Sequence, residues 1–299
     1  MKYLACLTMT AVLSNPLHAA DKMRVLIVDG FSNHDWRRNT AMIRGIIEPT
    51  GLFTVDVSTS PPSPDAPGWD AWRPCFKDYA VVIQTCNDIG KDKPRWPAEV
   101  ERDFEAFVRE GGGVYVYHSG NNAFPHWQEY NRMIGLGWRK PEFGYAVTVS
   151  PDGRQLQLIP AGEGSGTGHG PRSTVLIERR GDHPIHAGFP RAWLTPDLEI
   201  YTYARGPAEE IDVLSYARDA KFSLNWPIEW TIRYGKGRVY TSTFGHVMKT
   251  PSNPESMRCV GYRTLMIRTL QWLGWRLPDF PLPENFPTAE TASLVGEIE

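Results

Sequence analysis

The sequence predicts an α/β domain: a mainly parallel sheet flanked by helices, with a β-rich insertion. Short, continuous apolar runs recur at "RVLIVDG" (24–30), "YAVVIQT" (79–85) and "VYVYHSG" (114–120), the pattern of strands buried on both faces. Segments with helical spacing separate them, and strand–helix alternation implies right-handed βαβ units. The 299 residues are 41% hydrophobic, enough for one large core or two small ones, and no internal repeat divides them.

The elements follow in order. After the strand at 24–30, a polar loop "FSNHDWRRN" leads to "TAMIRGIIEPTG". There Met42, Ile43, Ile46 and Ile47 share a face, and Pro49 and Gly51 stop the helix. "FTVDVS" is a second strand, followed by a long Pro-, Asp- and Trp-rich loop over 58–78 and the third strand. "PAEVERDFEAFVREGGG" is an amphipathic helix that starts at Pro97 and is stopped by glycines. The fourth strand follows and ends abruptly in His118, Ser119 and Gly120. The middle, roughly 140–205, is loop-rich and carries short strands at "YAVTVS", "RQLQLIP" and "STVLIER". "IDVLSYA" is a further strand, "PIEWTIRYGKGRVYTSTFG" a hairpin turning at "YGKG", and "SMRCVGYRTLMIRTLQWLGW" a last amphipathic helix. "DHPIHAG" reads as a turn entering a short helix capped by Asp182, with His183 and His186 in structural roles.

Residues 1–20 read as a secretory signal peptide. Lys2 precedes an apolar run, Asn15-Pro16 breaks it, and alanines end it at Ala19 and Ala20. The run is too short for a stable membrane anchor, so the expected location is periplasmic or secreted. The expected division is signal peptide 1–20, domain 21–278 and a partly ordered Pro-rich tail 279–299. Formal net charge is −2 with no long basic run, which argues against nucleic acid as a partner. Cys75, Cys86 and Cys259 follow the leader with no CxxC spacing, so at most one disulfide can form, and a half-buried structural thiol is the simpler reading of Cys86. Aromatics make up 12%, and many tryptophans (Trp36, Trp69, Trp72, Trp127, Trp138, Trp226) lie near glycine or proline in apparent loops. Such rings serve either as sugar platforms or as lids over the core.

In open α/β sheets, ligands bind beyond the carboxyl ends of the strands. His34 and Asp35 follow the first strand, His118, Ser119 and Asn121 the fourth, and His246 the late hairpin strand. His169 stands between glycines in "GTGHGPR". Convergent histidines can act as general acid and base, ligate a divalent metal (Zn²⁺ or Mn²⁺, through His34, His118 and His246) or bind sugar hydroxyls. Spacing does not separate these uses. Ser119 is a candidate nucleophile with His246 as its base, although "YHSGN" lacks the first glycine of GxSxG.

The segments "RVLIVDGFSNHDW", "FVREGGGVYVYHSGNNAF", "GTGHGPRSTVLIERRGDHPIHAGFPRAW", "LEIYTYARGP", "WTIRYGKGRVYTSTFGH" and "MRCVGYRTLMIRTLQW" resemble, in order, the ThuA-like (trehalose utilisation) family. The resemblance covers about residues 24–275. It implies a class I glutamine amidotransferase-like, flavodoxin-like three-layer fold, and it marks Glu199 and Tyr201 within "LEIY". In amidotransferases the fourth-strand turn carries a cysteine. Here His118 and Ser119 occupy that region, His246 matches the later histidine and Lys249 stands near the place of a glutamate, so glutaminase activity is not expected. The family's neighbourhood of trehalose and 3-keto glycosides implies a small carbohydrate partner. Two readings follow. One is an exported sugar-processing enzyme with His118, His246, Ser119 and Glu199 as catalytic groups and His34, Asp35, Trp36, Asn121, His169 and Tyr201 binding substrate. The other is a non-catalytic sugar-binding protein that keeps the pocket. Self-association is open in both.

Overall fold

The computed structural model describes residues 21–89 and 95–297. The predicted leader, 1–20, lies outside the described residues. The first half comprises β1 (Met23–Asp29), α1 (Trp36–Ile47), β2 (Phe53–Thr59), β3 (Val81–Gln84), α2 (Ala98–Glu110), β4 (Gly113–Val116) and α3 (Gln128–Ile134). The middle adds β5 (Tyr145–Val149), β6 (Leu156–Ile159), β7 (Gly168–His169), β8 (Ser173–Arg179), β9 (Ala192–Leu198), β10 (Tyr201–Thr202) and β11 (Arg205–Gly206). The last part holds β12 (Asp212–Arg218), β13 (Asn225–Tyr234), β14 (Gly237–Ser242), α4 (Glu255–Arg258) and α5 (Val260–Leu273).

The main sheet runs β2-β1-β3-β4-β14-β13-β12-β8-β9. β2, β1, β3, β4 and β14 are parallel, and β13, β12, β8 and β9 continue the sheet antiparallel. Strand periodicity divides the core. Val25, Ile27, Val81, Ile83, Tyr115 and Tyr240 face α1 and α5, whereas Leu26, Val28, Val82, Val114, Val116 and Val239 face α2 and α3. The three-layer α/β expectation therefore holds. The β-rich middle is not a separate lobe, because β8 and β9 extend the central sheet and β5 joins it through β13.

Several local expectations are corrected. α1 begins at Trp36, inside the predicted polar loop, because the Asp35 side chain accepts the backbone N–H of Arg38 and caps the helix there. The short turn 184–186 is capped by His183, whose Nδ1 accepts from the Ile185 N–H, while Asp182 points to solvent and pairs with Arg179. The last helix breaks at Cys259, whose ψ of 119° leaves the helical region, and α5 is buried around most of its circumference rather than on one face. Within the described tail, the Phe286 ring lies 4.4 Å from that of Phe189, and Leu294 forms a β-bridge with Cys259. Pro227 sits inside β13, where a missing N–H is tolerated because the β12–β13 ladder is irregular near Ser215 and Tyr216.

A buried hydrogen-bond cluster ties β13 to β12, β14 and the turn at 184–186. Glu229 on β13 accepts from His186 Nε2 at 2.8 Å, Ser215 Oγ at 2.7 Å and Tyr240 Oη at 2.5 Å. Burial pushes this carboxyl up, but the imidazole and the hydrogen bonds outweigh it and hold Glu229 below its ordinary value. The structural role expected for His186 is thereby given a partner.

Candidate active site

Three turns at the carboxyl edge of the parallel strands bring three imidazoles together. The first turn leaves β1 at Asp29, whose carboxylate accepts from Thr40 and Thr59 hydroxyls at 2.6 and 2.7 Å. Gly30 follows at φ 133°, where a Cβ would lie 2.1 Å from the Ser60 carbonyl oxygen, so only glycine lets the chain pass. The chain then carries His34 across the sheet edge. The second turn holds His118 in the left-handed region at φ 41°. It is clamped by Tyr130, whose hydroxyl donates to the Gly120 carbonyl and accepts from Gln84 Nε2, both at 2.8 Å. The third turn leaves β14 through Gly245, at φ 91°, and presents His246. Arg38 Nη1 donates to the Lys249 carbonyl at 2.8 Å and locks the first turn to the third.

The ring centroids lie 5.0 Å apart for His34–His118, 4.9 Å for His34–His246 and 5.2 Å for His118–His246. One ligating atom from each lies within 4.8 Å of the other two. Glu199, in the bend after β9, approaches all but one of the surrounding histidines. Its carboxylate is 3.3 Å from His246 Nε2, 3.7 Å from His169 Nδ1 and 3.9 Å from His118 Nε2. Tyr201 Oη stands 3.5 Å from His118 Nε2. His169 and Tyr201 are opposite each other in the β7–β10 pair, and the Trp138 ring packs against both.

The hydrogen bonds fix which nitrogen carries each proton. His118 Nδ1 lies 2.8 Å from the Thr243 carbonyl, which can only accept, so Nε2 holds the lone pair. Beside His34, the Ile89 N–H donates to Asn87 Oδ1 and so fixes the orientation of that amide. The Asn87 amide nitrogen then donates to Asn33 Oδ1, which also accepts from His34 Nδ1 at 2.8 Å. His34 Nε2 is therefore a second lone pair. His246 has the opposite polarity. The Arg172 guanidinium donates to its Nδ1 at 2.9 Å, so Nε2 carries the proton and faces Glu199. Arg172 is itself held by Asp197 at 3.1 Å.

All three rings are neutral over the physiological range. Burial, then His169 and Arg172, pushes His34 down to about 4. Burial, then His34 and Arg172, pushes His246 down to about 3. Burial, reinforced by His34 and His246, drives His118 well below its ordinary value. Burial raises the Glu199 carboxyl against the pull of His169 and Arg172. The site thus offers two lone pairs, one N–H and a carboxyl of raised pKa around a cavity of about 260 Å³. His34, His169, Glu199, Tyr201 and His246 line that cavity, and Asn33, Asn122 and Trp138 complete much of its wall.

Residues 24–272 match the family model for ThuA, described as trehalose utilisation. The chain belongs to the ThuA family. A ThuA-like protein of Parabacteroides merdae superposes with a TM-score of 0.84 at 29% identity, over 92% of this chain and 98% of that one. A ThuA-like protein of Bacteroides uniformis gives a TM-score of 0.54 at 15% identity, over 90% and 99% of the two chains, and shows the shared fold. No curated protein matches the sequence.

The ThuA fold unites six of the residues singled out in the sequence: His34, His118, His169, Glu199, Tyr201 and His246. Four others are elsewhere or face away. Asp35 caps α1, and Trp36 lies under the Arg37 guanidinium, 4.0 Å from its ring centroid. Ser119 and Asn121 turn inward because the chain coils into a 3₁₀ turn over 118–122. The Ser119 hydroxyl and both Asn121 amide atoms are buried without a hydrogen-bond partner, so Ser119 makes no hydrogen bond to any histidine. Cys86 is fully buried and its thiol is pushed far up by burial, which removes it as a thiolate nucleophile; Cys75, Cys86 and Cys259 are free thiols. One contributor escaped the sequence reading. Arg172 ends the quoted "GTGHGPR" and is the group that orients His246; Trp138, named in the sequence only as one of several candidate platforms or lids, walls the cavity.

Proposed function

We propose that this ThuA-family protein is an exported carbohydrate-processing enzyme, acting by acid/base chemistry on trehalose, a related disaccharide or a 3-keto glycoside. The observation that supports this reading is the opposed proton polarity of neutral imidazoles around one small cavity. A ketone on a sugar ring acidifies the neighbouring C–H. The Nε2 lone pair of His34, a residue that lines the cavity, accepts that proton. The His246 N–H stabilises the enolate oxygen, and the His34 imidazolium formed in that step, or the protonated Glu199 carboxyl, returns a proton to the ring or to the departing glycosidic oxygen, giving isomerisation or elimination. His118 is fully buried beneath this pair. Its role shifts from the direct base expected from sequence to the floor of the site.

A second reading, a divalent-metal centre, is favoured by one feature. His34 and His118 each donate Nδ1–H to a carbonyl oxygen and keep a lone pair on Nε2, the outer-shell arrangement of metal-binding histidines. A Zn²⁺ or Mn²⁺ ion held there would polarise the ketone, with Glu199 as a nearby oxygen donor. Arg172 on His246 Nδ1 disfavours His246 as the third ligand.

The test is a mass-spectrometric turnover screen of the protein with trehalose, related glucosides and their 3-keto forms, with and without Zn²⁺ or Mn²⁺, beside His34→Ala and His118→Ala. Product formed by wild type and lost in both variants supports the enzyme. Binding without product from any of these sugars would leave the sugar-binding alternative in its place.

A further inference from the structure

The catalytic cavity has a larger neighbour. Across Trp138 lies a second cavity of about 480 Å³, lined by Pro125, His126, Trp138, Lys140, Glu142 and Phe143, with Arg139 beneath. Both cavities are built on the same turn. The Arg139 guanidinium donates to the carbonyls of Asn122 (2.9 Å) and Ala123 (2.6 Å), at the end of the His118 turn, and to Asn131 Oδ1 at 2.9 Å. The segment 138–143 is thereby pinned beside the imidazole cluster, and Asn122 lines the first cavity while Pro125 lines the second.

The two cavities differ in character. The first is small and ringed by titratable groups, and at about 260 Å³ it falls just below the usual range of ligand sites. The second is walled by rings, has no cluster of lone pairs, and carries one ammonium and one carboxylate at its rim. Phe143 is 40% exposed there, a large apolar side chain held out by the 141–143 turn. An aromatic face with hydrogen-bonding groups at its edge suits a pyranose ring, whose C–H face is apolar and whose hydroxyls point outward.

We infer that this second cavity is the subsite for the second sugar ring, so that the substrate is a two-ring glycoside straddling Trp138: the reacting ring lies over His34, His246 and Glu199, and its partner ring stacks on Trp138 and Phe143. This inference rests on the carbohydrate reading above and adds where discrimination between one ring and two resides.

Binding to the protein is measured by calorimetry for trehalose against D-glucose, and for their 3-keto forms, in wild type and Phe143→Ala. Phe143 is exposed and apart from the catalytic groups, and an unchanged Tm confirms that the variant is folded. The expected result is that the disaccharide binds wild type at least about tenfold more tightly than the monosaccharide, and that Phe143→Ala removes most of that advantage while monosaccharide binding stays the same. Equal binding of the two sugars by wild type, binding of neither, or a variant that loses affinity for both alike or for neither would overturn the subsite. The two conclusions fail separately. Disaccharide binding that depends on Phe143 without turnover removes the enzyme and keeps the subsite. Turnover that is indifferent to Phe143→Ala does the reverse.

Discussion

Replacing Arg172 by methionine tests whether the polarity of the imidazole cluster is imposed from outside it. Methionine keeps much of the length and removes the charge. In the native site the guanidinium donates to His246 Nδ1 at 2.9 Å and pairs with Asp197 at 3.1 Å. A unit charge about 4 Å from the ring interacts at about 4 kcal/mol in an effective dielectric of 20 and about 1 kcal/mol in water. Arg172 is partly exposed and Asp197 offsets some of its field, so the net effect on His246 is at the lower end, about 1–2 kcal/mol, or about one pKa unit. The sign is fixed. Removing a cation and freeing the Asp197 carboxylate both favour imidazolium, so His246 moves up from about 3. With no donor on Nδ1, the Nδ1–H tautomer also becomes accessible. The assay is a histidine-selective ¹⁵N–¹H NMR titration that resolves both ring nitrogens of His246, with Arg172→Lys as the charge-retaining control. A pKa that stays put or falls in Arg172→Met, with the lysine variant behaving the same way, would refute the assignment of Arg172 as the group that orients His246.

The other expectations concern chemistry and stability. His34→Ala should lower kcat by about 10²–10⁴ while the affinity for sugar changes little, read by steady-state kinetics beside calorimetry. The acid limb of the pH–rate profile should fall near 4 rather than near 6.5, because burial holds His34 neutral down to about 4; a limb at 6.5 would show that the base is a solvated histidine. Global stability should decline as pH drops below 6.5, since the unfolded histidines then bind protons that buried His34, His118 and His246 refuse, and denaturant midpoints across pH 4–7 measure it. Glu229→Gln should cost about 1–3 kcal/mol in urea unfolding, because the amide replaces one of the two acceptor oxygens that serve the buried His186, Ser215 and Tyr240 donors. The contribution of Glu229 is present above about 4.5 and lost as pH falls through its lower folded-state value, so the gap between variant and wild type should close in acid.

What was legible in the sequence was mainly what periodicity encodes. Apolar runs gave the strands, and the rule that ligands collect at carboxyl strand ends singled out His34, His118 and His246. That rule names positions and says nothing of direction. Ser119 and Asn121 follow the same strand end as His118, yet the 118–122 turn buries them, and the left-handed backbone of His118 has no local signature. Glu199 and Tyr201 were marked only through family resemblance, because a bend after an antiparallel strand carries no periodic signal. The Glu229–His186 pair, 43 residues apart, depends on an irregular ladder between β12 and β13. Arg172 offered the one usable hint, a cation directly beyond the glycines that flank His169.

The lock between the first and third turns has a consequence for how activity can be read. Arg38 reaches Lys249 across 211 residues of chain, and the three imidazoles meet only when both ends of that span are docked on the same sheet edge. Loop closure over such a distance comes late and depends on nearly every intervening strand being in register. The cluster is therefore a global order parameter. A nascent, truncated or partly unfolded chain carries the histidines but not the neutral, polarised group they form, so the proposed activity would report, all or none, on completion of the fold.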